Sequence, residues 1–267
     1  MIGGPNPSIA NLSAIYSSNN TAIALALTRI ASGKRVQNAS DDLAAYTAAA
    51  NLQSHSDQYA VIKQNLAEVK GFFDYATKVG DTIVSDINRL SDLKGLYDAA
   101  VAANDLTAQD ADKAEYNAII GRINSTITNA NYEGYPVYQA AALYKSVSVN
   151  LNGGSFRLTP TAVAATGTIN DISAGGVLAA IQTQQTNAIT YAAQVASAGD
   201  ALTAYSNLAD TVINSNEATI SVLTGIDDAS ELAGLTSLQV RQQATVAMMA
   251  QANVIQGYAA KLYGGNN

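Results

Sequence analysis

Apolar residues recur at intervals of three and four along most of the chain, which is the spacing of an amphipathic α-helix. Charged residues such as Lys70 and Asp74 fall between these positions, on the other faces of the helix. The spacing predicts one continuous helix of about 90 Å, from Ser40 or Asp41 to near Ala100. Its apolar positions are Ile62, Leu66, Val69, Phe72, Ala76, Val79, Ile83, Ile87, Leu90, Leu93 and Tyr97.

The same spacing predicts four more helices, at residues 8–32, 107–129, 171–224 and 229–262. The prolines lie outside the interiors of all these helices, so none of them is interrupted by proline. Thr107 has the spacing of a capping box and is the expected N-cap of its helix. In the helix over residues 171–224, we expect Ile189, Leu202 and Leu208 to share the buried face.

Residues 131–170 break the helical spacing. Polar and apolar residues alternate from 146 to 151, two glycines follow, and a second short run covers 155–159, which together predict one β-hairpin. The fold class is therefore predicted to be mainly α: an elongated antiparallel bundle of long helices with terminal coiled-coil helices and one small β-hairpin insertion.

Both terminal helices carry apolar stripes for which the central bundle has no obvious room. Because a chain end frays unless something holds it, we infer that these helices pair with each other and with neighbouring chains, as in a coiled coil. The residues expected to make these polymer contacts are Ile9, Leu12, Ile15, Leu25, Leu238, Met249, Gln251 and Asn253.

A polar turn at residues 29–42 separates the first helix from the long one. Gly33 allows backbone angles that other residues avoid, and Ser40 or Asp41 can cap the helix that follows. We interpret the turn as a hinge that sets the angle between two helices. The candidates for hinge and subunit contacts are Arg29, Gly33, Lys34, Arg35, Asn38, Ser40, Asp41 and Asp42.

The amino-acid composition of the chain argues against several classes of function. Aromatic residues make up 6% of the chain and tryptophan is absent, so small aliphatic residues must fill the space between helices. The formal net charge is -7 and the 14 Lys and Arg residues are scattered, which argues against a nucleic-acid partner. Cysteine is absent, which excludes disulfides and thiolate metal sites. The most apolar run, residues 22–27, is far too short to span a membrane.

Residue types used in catalysis are scarce. His55 is the only histidine, and a zinc site of the HExxH type needs two. The acid pairs at 41–42 and 227–228 lie at predicted helix starts, where negative charge caps the helix and stabilises its dipole. No phosphate-binding glycine pattern is present. We therefore expect no catalytic residues, no metal site and no cofactor, and an enzyme is the least favoured reading.

Motifs near both ends of the chain resemble those of bacterial flagellin. Residues 27–44, LTRIASGKRVQNASDDLA, are similar to the flagellin segment that joins the inner terminal helix to the first core helix. Residues 226–230, the Gln-Gln-Ala at 242–244 and the Ala-Gln-Ala-Asn at 250–253 resemble its C-terminal counterpart. Residues 131–137, NYEGYPV, are similar to the phrase before its β-hairpin. The chain departs from the family at Thr224 and Gly225, where an arginine is common.

The resemblance implies a self-assembling subunit of the extracellular flagellar filament, exported without a cleaved signal peptide. The N-terminus agrees, because it lacks the basic and apolar regions of such a signal. The partners implied are the chain itself, the hook-to-filament junction protein, the filament cap and an export chaperone. The junction protein is also the alternative identity, because residues 33–36 and 38–42 resemble it too; the tail motifs favour flagellin.

The resemblance also implies a division into six segments. These are the N-terminal helix of an inner polymer domain (1–32), a hinge (33–42), the two halves of a rod domain (43–130 and 171–224), the β-hairpin region between them (131–170), and a hinge with the C-terminal helix of the inner domain (225–267). Arg89 and Leu93 match rod positions that an animal innate immune receptor contacts in the family. Leu93 also lies on the apolar stripe, which favours a core position for it.

Overall fold

The computed structural model describes residues 7–138, 146–157 and 169–264. Five helices account for most of this part of the chain: α1 (Pro7–Ser32), α2 (Leu43–Ala102), α3 (Leu106–Asn129), α4 (Val177–Thr224) and α5 (Asp228–Gly264). Four strands of two residues each form two antiparallel pairs: β1 (Asn131–Tyr132) with β2 (Tyr135–Pro136), and β3 (Val147–Ser148) with β4 (Ser155–Phe156). The predicted mainly α class with long helices is confirmed.

The described residues form two compact units. Unit 1 comprises residues 1–54 and 216–267 as far as they are described, and unit 2 comprises residues 55–215. Unit 1 contains α1, α5 and the adjoining ends of α2 and α4. Unit 2 contains the rest of α2 and α4, together with α3 and both strand pairs.

Unit 2 has an extensive core between a segment of α2 and the segments of α3 and α4, each of which runs antiparallel to α2. Ion pairs between side chains show which residues of neighbouring helices lie opposite each other. Lys63 of α2 lies 2.7 Å from Asp210 of α4, and Arg122 of α3 donates two hydrogen bonds to the carboxylate of Asp86 of α2. The stripe predicted from the sequence of α2 forms one wall of this core. Its fully buried members include Leu66, Phe72, Ile83, Ile87, Leu90 and Leu93, which face Tyr116, Ile123, Ile181, Tyr191 and Val195.

Aromatic side chains seat the strand pairs on the helices. Phe73 meets the ring of Phe156 from β4 edge to face, with ring centroids 6.4 Å apart. The rings of Tyr138 and Tyr191 lie 4.2 Å apart, and the Tyr191 hydroxyl donates a hydrogen bond to the Val137 carbonyl. Burial raises the pKa of both tyrosines above the ordinary range. Several of the aromatic residues that the structure describes, among them Phe73, Tyr138 and Phe156, therefore lie where the strands meet the helices.

The predicted β-hairpin is the β3–β4 pair, and it is shorter than expected. The Asn150 side-chain carbonyl accepts hydrogen bonds from the Asn152 and Gly154 amides, which turns the chain before residue 151. Residues 158–159 of the predicted second arm lie outside the described residues. The β1–β2 pair was not predicted; its turn is formed by Glu133 and Gly134, both with positive φ.

The capping residues of α2 and α3 and the start of α4 differ from those predicted. α3 is capped by Asp105, whose side chain accepts the Ala108 amide, so Thr107 lies inside the helix. Asp42 caps α2 by accepting the Ala45 amide. α4 begins at Val177 and not near Asp171, because Asp171 closes a turn: its carboxylate accepts the Ser173 hydroxyl and amide and pairs with Lys113, which holds its pKa at about 2.

The buried face of α4 differs from the predicted one. Ile189 and Leu208 are exposed, whereas Leu202 is buried as expected. The face that packs into the core is formed by Ile181, Ala188, Tyr191, Val195, Ala198 and Leu202.

A leucine pair on α2 tests this assignment of the core. Leu93 is 0% exposed and Leu96 is 50% exposed. We expect Leu93→Ala to lower the free energy of unfolding by roughly 2–5 kcal/mol, because it leaves a cavity in the core. Leu96→Ala should change it by no more than about 0.5 kcal/mol. Denaturant unfolding followed by circular dichroism measures both; equal losses would contradict the placement of the α2 stripe.

Candidate functional site

The terminal helices α1 and α5 pack on each other in unit 1 and run antiparallel. The Gln242 side chain donates a hydrogen bond to the Asn20 side chain, and Arg29 lies 3.8 Å from Glu231. The pair encloses little: Ala26 of α1 and Leu235 and Thr245 of α5 are its buried residues among those described. Two helices share only one mutual face, so most of the apolar surface of each remains uncovered.

The uncovered apolar side chains extend along both helices, and we call them the open apolar surface. Around them charge is sparse. Arg29 is the only charged residue of α1, and α5 carries four charged residues: Asp228, Glu231, Arg241 and Lys261. A surface that is rich in large apolar groups and poor in charge is typical of a protein contact. Its members are Ile15, Leu25, Leu27, Leu232, Val240, Val246, Met248, Val254, Ile255 and Tyr258.

The two hinge segments join each other through their backbones. The Arg35 and Val36 amides donate to the Thr224 carbonyl at 2.7 and 3.3 Å, and the Ile226 amide donates to the Gly33 carbonyl at 3.4 Å. Lys34 and Gly225 form an isolated antiparallel bridge between them. We call the paired segments 33–36 and 223–226 the clasp. It ties the end of α1 to the start of α5.

Side chains hold the turn that follows the clasp. Asp41 accepts hydrogen bonds from the Gln37 and Asn38 amides at 2.9 and 3.0 Å. These two bonds hold the pKa of Asp41 below its ordinary value of 3.8. The Arg35 guanidinium reaches the Leu223 carbonyl at 3.1 Å and lies 3.6 Å from Asp42. The polar residues of this turn therefore fix its shape before α2 begins.

Most hinge candidates named from the sequence lie in this arrangement. Gly33 has φ of 65°, the left-handed conformation expected for it, and Ser40 is exposed on the turn. Residues that sequence reasoning did not select also contribute. Val36 is buried and anchors the clasp. It is the only large apolar residue of segment 33–42, and this isolated apolar position is a sequence signal that could have identified it. The remaining ones are Gln37, Thr224 and Gly225.

The residues predicted to make polymer contacts fall into two groups. Ile9, Leu12, Leu238 and Met249 are half-buried in unit 1. Ile15, Leu25, Gln251 and Asn253 are exposed on the terminal helices. Contacts with a neighbouring chain remain a prediction for all eight.

The two residues matched to a receptor-contact region have different environments. Arg89 is partly exposed and binds Glu115 through two hydrogen bonds, which raise the pKa of Arg89 and lower that of Glu115. Leu93 is completely buried, as its position on the apolar stripe favours, so its side chain is not available to a partner of the folded chain. Receptor contact stays a prediction for Arg89 and Leu93.

The described residues contain no group of three or more His, Asp or Glu side chains that could hold a metal ion. His55 is exposed on α2. Within the same described ranges, the helices lack a stretch long and apolar enough to cross a membrane. The features on which a functional argument can rest are therefore the open apolar surface and the clasp.

The chain matches a known protein family and several known proteins. The family described as bacterial flagellin N-terminal helical region matches residues 6–141, about half of the chain. Two relatives from Caulobacter vibrioides, the flagellins FljO and FljN, are 25% and 23% identical over 237 and 248 residues. These alignments cover 84% and 88% of this chain and 85% and 89% of the relatives. Among solved structures, a Bacillus cereus flagellin shows 18% identity and a TM-score of 0.41, covering 57% of this chain and 88% of that one.

Glycine substitutions test the clasp. A Cβ at Gly225 would lie 2.4 Å from the Ser221 carbonyl oxygen, so the backbone that bonds to segment 33–36 must shift. We expect Gly225→Ala to destabilise unit 1 by about 1–3 kcal/mol and to speed hydrogen exchange at the Arg35 and Val36 amides. The matched control is Gly234→Ala in α5, which has open space and should stabilise by about 0.4–1 kcal/mol. The clasp assignment fails if both variants leave the two amides equally protected.

Acid should loosen the turn held by Asp41. Because the pKa of Asp41 is lower in the folded state than in the unfolded state, its contribution to stability is fully present above pH 3.8. That contribution is lost as the pH falls through the folded-state pKa. We expect the NMR signals of the Gln37 and Asn38 amides to shift with a midpoint below 3.8. The variant Asp41→Asn should lack this transition. A midpoint at or above the ordinary value would show that the two hydrogen bonds do not form in solution.

Proposed function

The chain belongs to the bacterial flagellin family, and on that premise we propose that it is the filament-forming subunit, which polymerises through the open apolar surface of α1 and α5. The family consists of structural proteins and not of enzymes, so the expectation of a non-catalytic flagellar subunit is confirmed. The observation that carries the finer proposal is the large apolar area that the α1–α5 pair leaves uncovered.

The cost of leaving that surface in water supports the proposal. Large side chains such as Val240, Val254 and Ile255 are 56–60% exposed. Burying a side chain of this size fully stabilises a protein by about 1.5–3 kcal/mol, and at least ten such residues are available here. Nearly all of their neighbours are uncharged, so a partner could cover them without removing many charges from water. A second copy of the chain presents the same surface and meets both conditions.

The clasp supplies the second requirement of a polymer subunit, a fixed geometry at the chain ends. Backbone hydrogen bonds between segments 33–36 and 223–226 join the end of α1 to the start of α5. Interfaces that repeat along a filament must have the same geometry in every copy. We therefore assign the clasp the role of positioning the two terminal helices as one element. The candidate contacts to neighbouring subunits lie in the clasp or next to it in the chain: Arg29, Gly33, Lys34, Arg35, Asn38, Ser40, Asp41 and Asp42.

The proposal extends to location and to the other flagellar partners. The filament is an extracellular appendage, and a subunit of it must leave the cell; we propose export without a cleaved signal peptide, assisted by an export chaperone. The hook-to-filament junction protein would lie at one end of the polymer and the filament cap at the other. The alternative function is the junction adaptor itself, which would bind a filament end in few copies.

Substitutions at Val240 test the polymer contact at one exposed position. Val240→Glu introduces an unpaired charge into the open apolar surface and is expected to abolish growth of filaments seeded with sheared fragments. Val240→Leu keeps an apolar side chain at the same place and should still polymerise. Electron microscopy and sedimentation measure growth, and circular dichroism checks that both monomers keep their helices.

Two results would contradict the proposal. Normal polymerisation of Val240→Glu would show that this part of α5 is not an interface. Failure of the unaltered chain to grow on seeds of its own filaments, with only a few copies bound at filament ends, would favour the junction adaptor.

A further inference from the structure

The turn between β3 and β4 contains the one Asn-Gly pair of the sequence, at Asn152 and Gly153, and the sequence has no Asp-Gly pair. Both residues are exposed. Gly153 has φ of 83°, a conformation that favours glycine. The turn is therefore a distinctive chemical position, because glycine is the residue that least hinders attack by its own backbone nitrogen on a preceding side chain.

Hydrogen bonding in the turn leaves that nitrogen accessible. The Asn150 side-chain carbonyl accepts the amides on either side, from Asn152 at 3.0 Å and from Gly154 at 2.8 Å. The Gly153 amide between them has no hydrogen-bond partner within the described part of the chain, and neither has the Asn152 side chain. An amide that is exposed to water and unbonded can lose its proton more readily than its two bonded neighbours.

We propose that Asn152 is a site of spontaneous deamidation in the folded protein. The deprotonated Gly153 nitrogen attacks the Asn152 side-chain carbonyl carbon, a new C–N bond closes a five-membered succinimide, and the side-chain nitrogen leaves as ammonia. Water then opens the ring at either carbonyl, which produces aspartate or isoaspartate. No oxidant, reductant or enzyme is needed. Each event adds one negative charge to the exposed turn, and the isoaspartate product also adds one carbon to the backbone.

The same turn contains an internal comparison. Asn150 lies two residues earlier, but its side-chain carbonyl is occupied by two hydrogen bonds and its successor is Leu151, whose side chain hinders the attack. The structure therefore selects Asn152 and not Asn150.

Trypsin makes the two sites measurable in one fragment. Cleavage after Lys145 and Arg157 releases residues 146–157, SVSVNLNGGSFR, which contains both asparagines. The full folded chain is incubated at mildly alkaline pH and then digested briefly with trypsin near neutral pH, so that little further deamidation occurs during digestion. The fragment is then sequenced by tandem mass spectrometry. We expect the mass shift from amide to acid at Asn152, as two chromatographic species, with Asn150 unmodified. The rate should rise in proportion to hydroxide concentration.

Two controls keep the test decisive. The synthetic peptide 146–157 shows that the reaction is detected when no fold is present. The variant Asn152→Gln would have to close a larger ring and should remain unmodified while keeping the same thermal unfolding temperature. If the peptide reacts and the folded chain does not, the Asn150 hydrogen bonds protect the turn and the proposal is wrong. Modification of Asn150 at the same rate would also overturn it.

Discussion

Two helices packed side by side can cover only one face of each other, and this constraint governs the ends of the chain. α1 and α5 together bury few side chains, and their larger apolar residues stay in water. Unit 2 shows the contrast, because three helix segments and two strand pairs enclose residues such as Leu66 and Ile181 completely. A unit with a closed core buries its apolar side chains without a partner, whereas a helix pair gains stability from whatever covers it.

The clasp addresses a different problem, which is how to hold two chain ends that are far apart in sequence. Its main bonds are between backbone groups, so they demand little of the side chains at Lys34 and Arg35. What they demand is space and backbone freedom. Gly33 adopts a left-handed conformation and Gly225 leaves no room for a Cβ beside Ser221. The clasp therefore depends on glycine at positions 33 and 225 more than on the charged residues beside them.

The helices were predictable because their packing leaves a periodic mark in the sequence. The α2 stripe is buried as expected except at Tyr97, which is half-buried, since large apolar residues recur there every three or four positions with charged residues between them. In α4 the prediction of the buried face was wrong at Ile189 and Leu208. Alanine occupies many positions around that helix, so several faces have nearly the same apolar content and the spacing does not choose between them.

The clasp could be predicted only in part. The glycine-containing turn at residues 33–42 has a recognisable composition, but its partner at 223–226 is about 190 residues away in the chain. Backbone hydrogen bonds between distant segments leave no periodic signal, because every residue except proline offers the same donor and acceptor. The capping residue of α3 was missed for a related reason: Asp105 and Thr107 are both suitable caps, and only the local backbone decides between them.

The distribution of charge separates the surfaces that stay in water from those that a partner can cover. Ion pairs such as Lys63–Asp210 and Arg89–Glu115 link the helices of unit 2, where their side chains are about half exposed. Exposed pairs of this kind contribute little to stability, about 0–1 kcal/mol each. Their more important effect is to keep these faces hydrated.

α1 carries one charged residue, Arg29, and it lies at the end beside the clasp. A charge in the middle of α1 would have to be removed from water on assembly, at a cost of several kcal/mol if it found no partner. The sparse charge of the terminal helices is therefore the feature that makes their open apolar surface suitable for a protein interface.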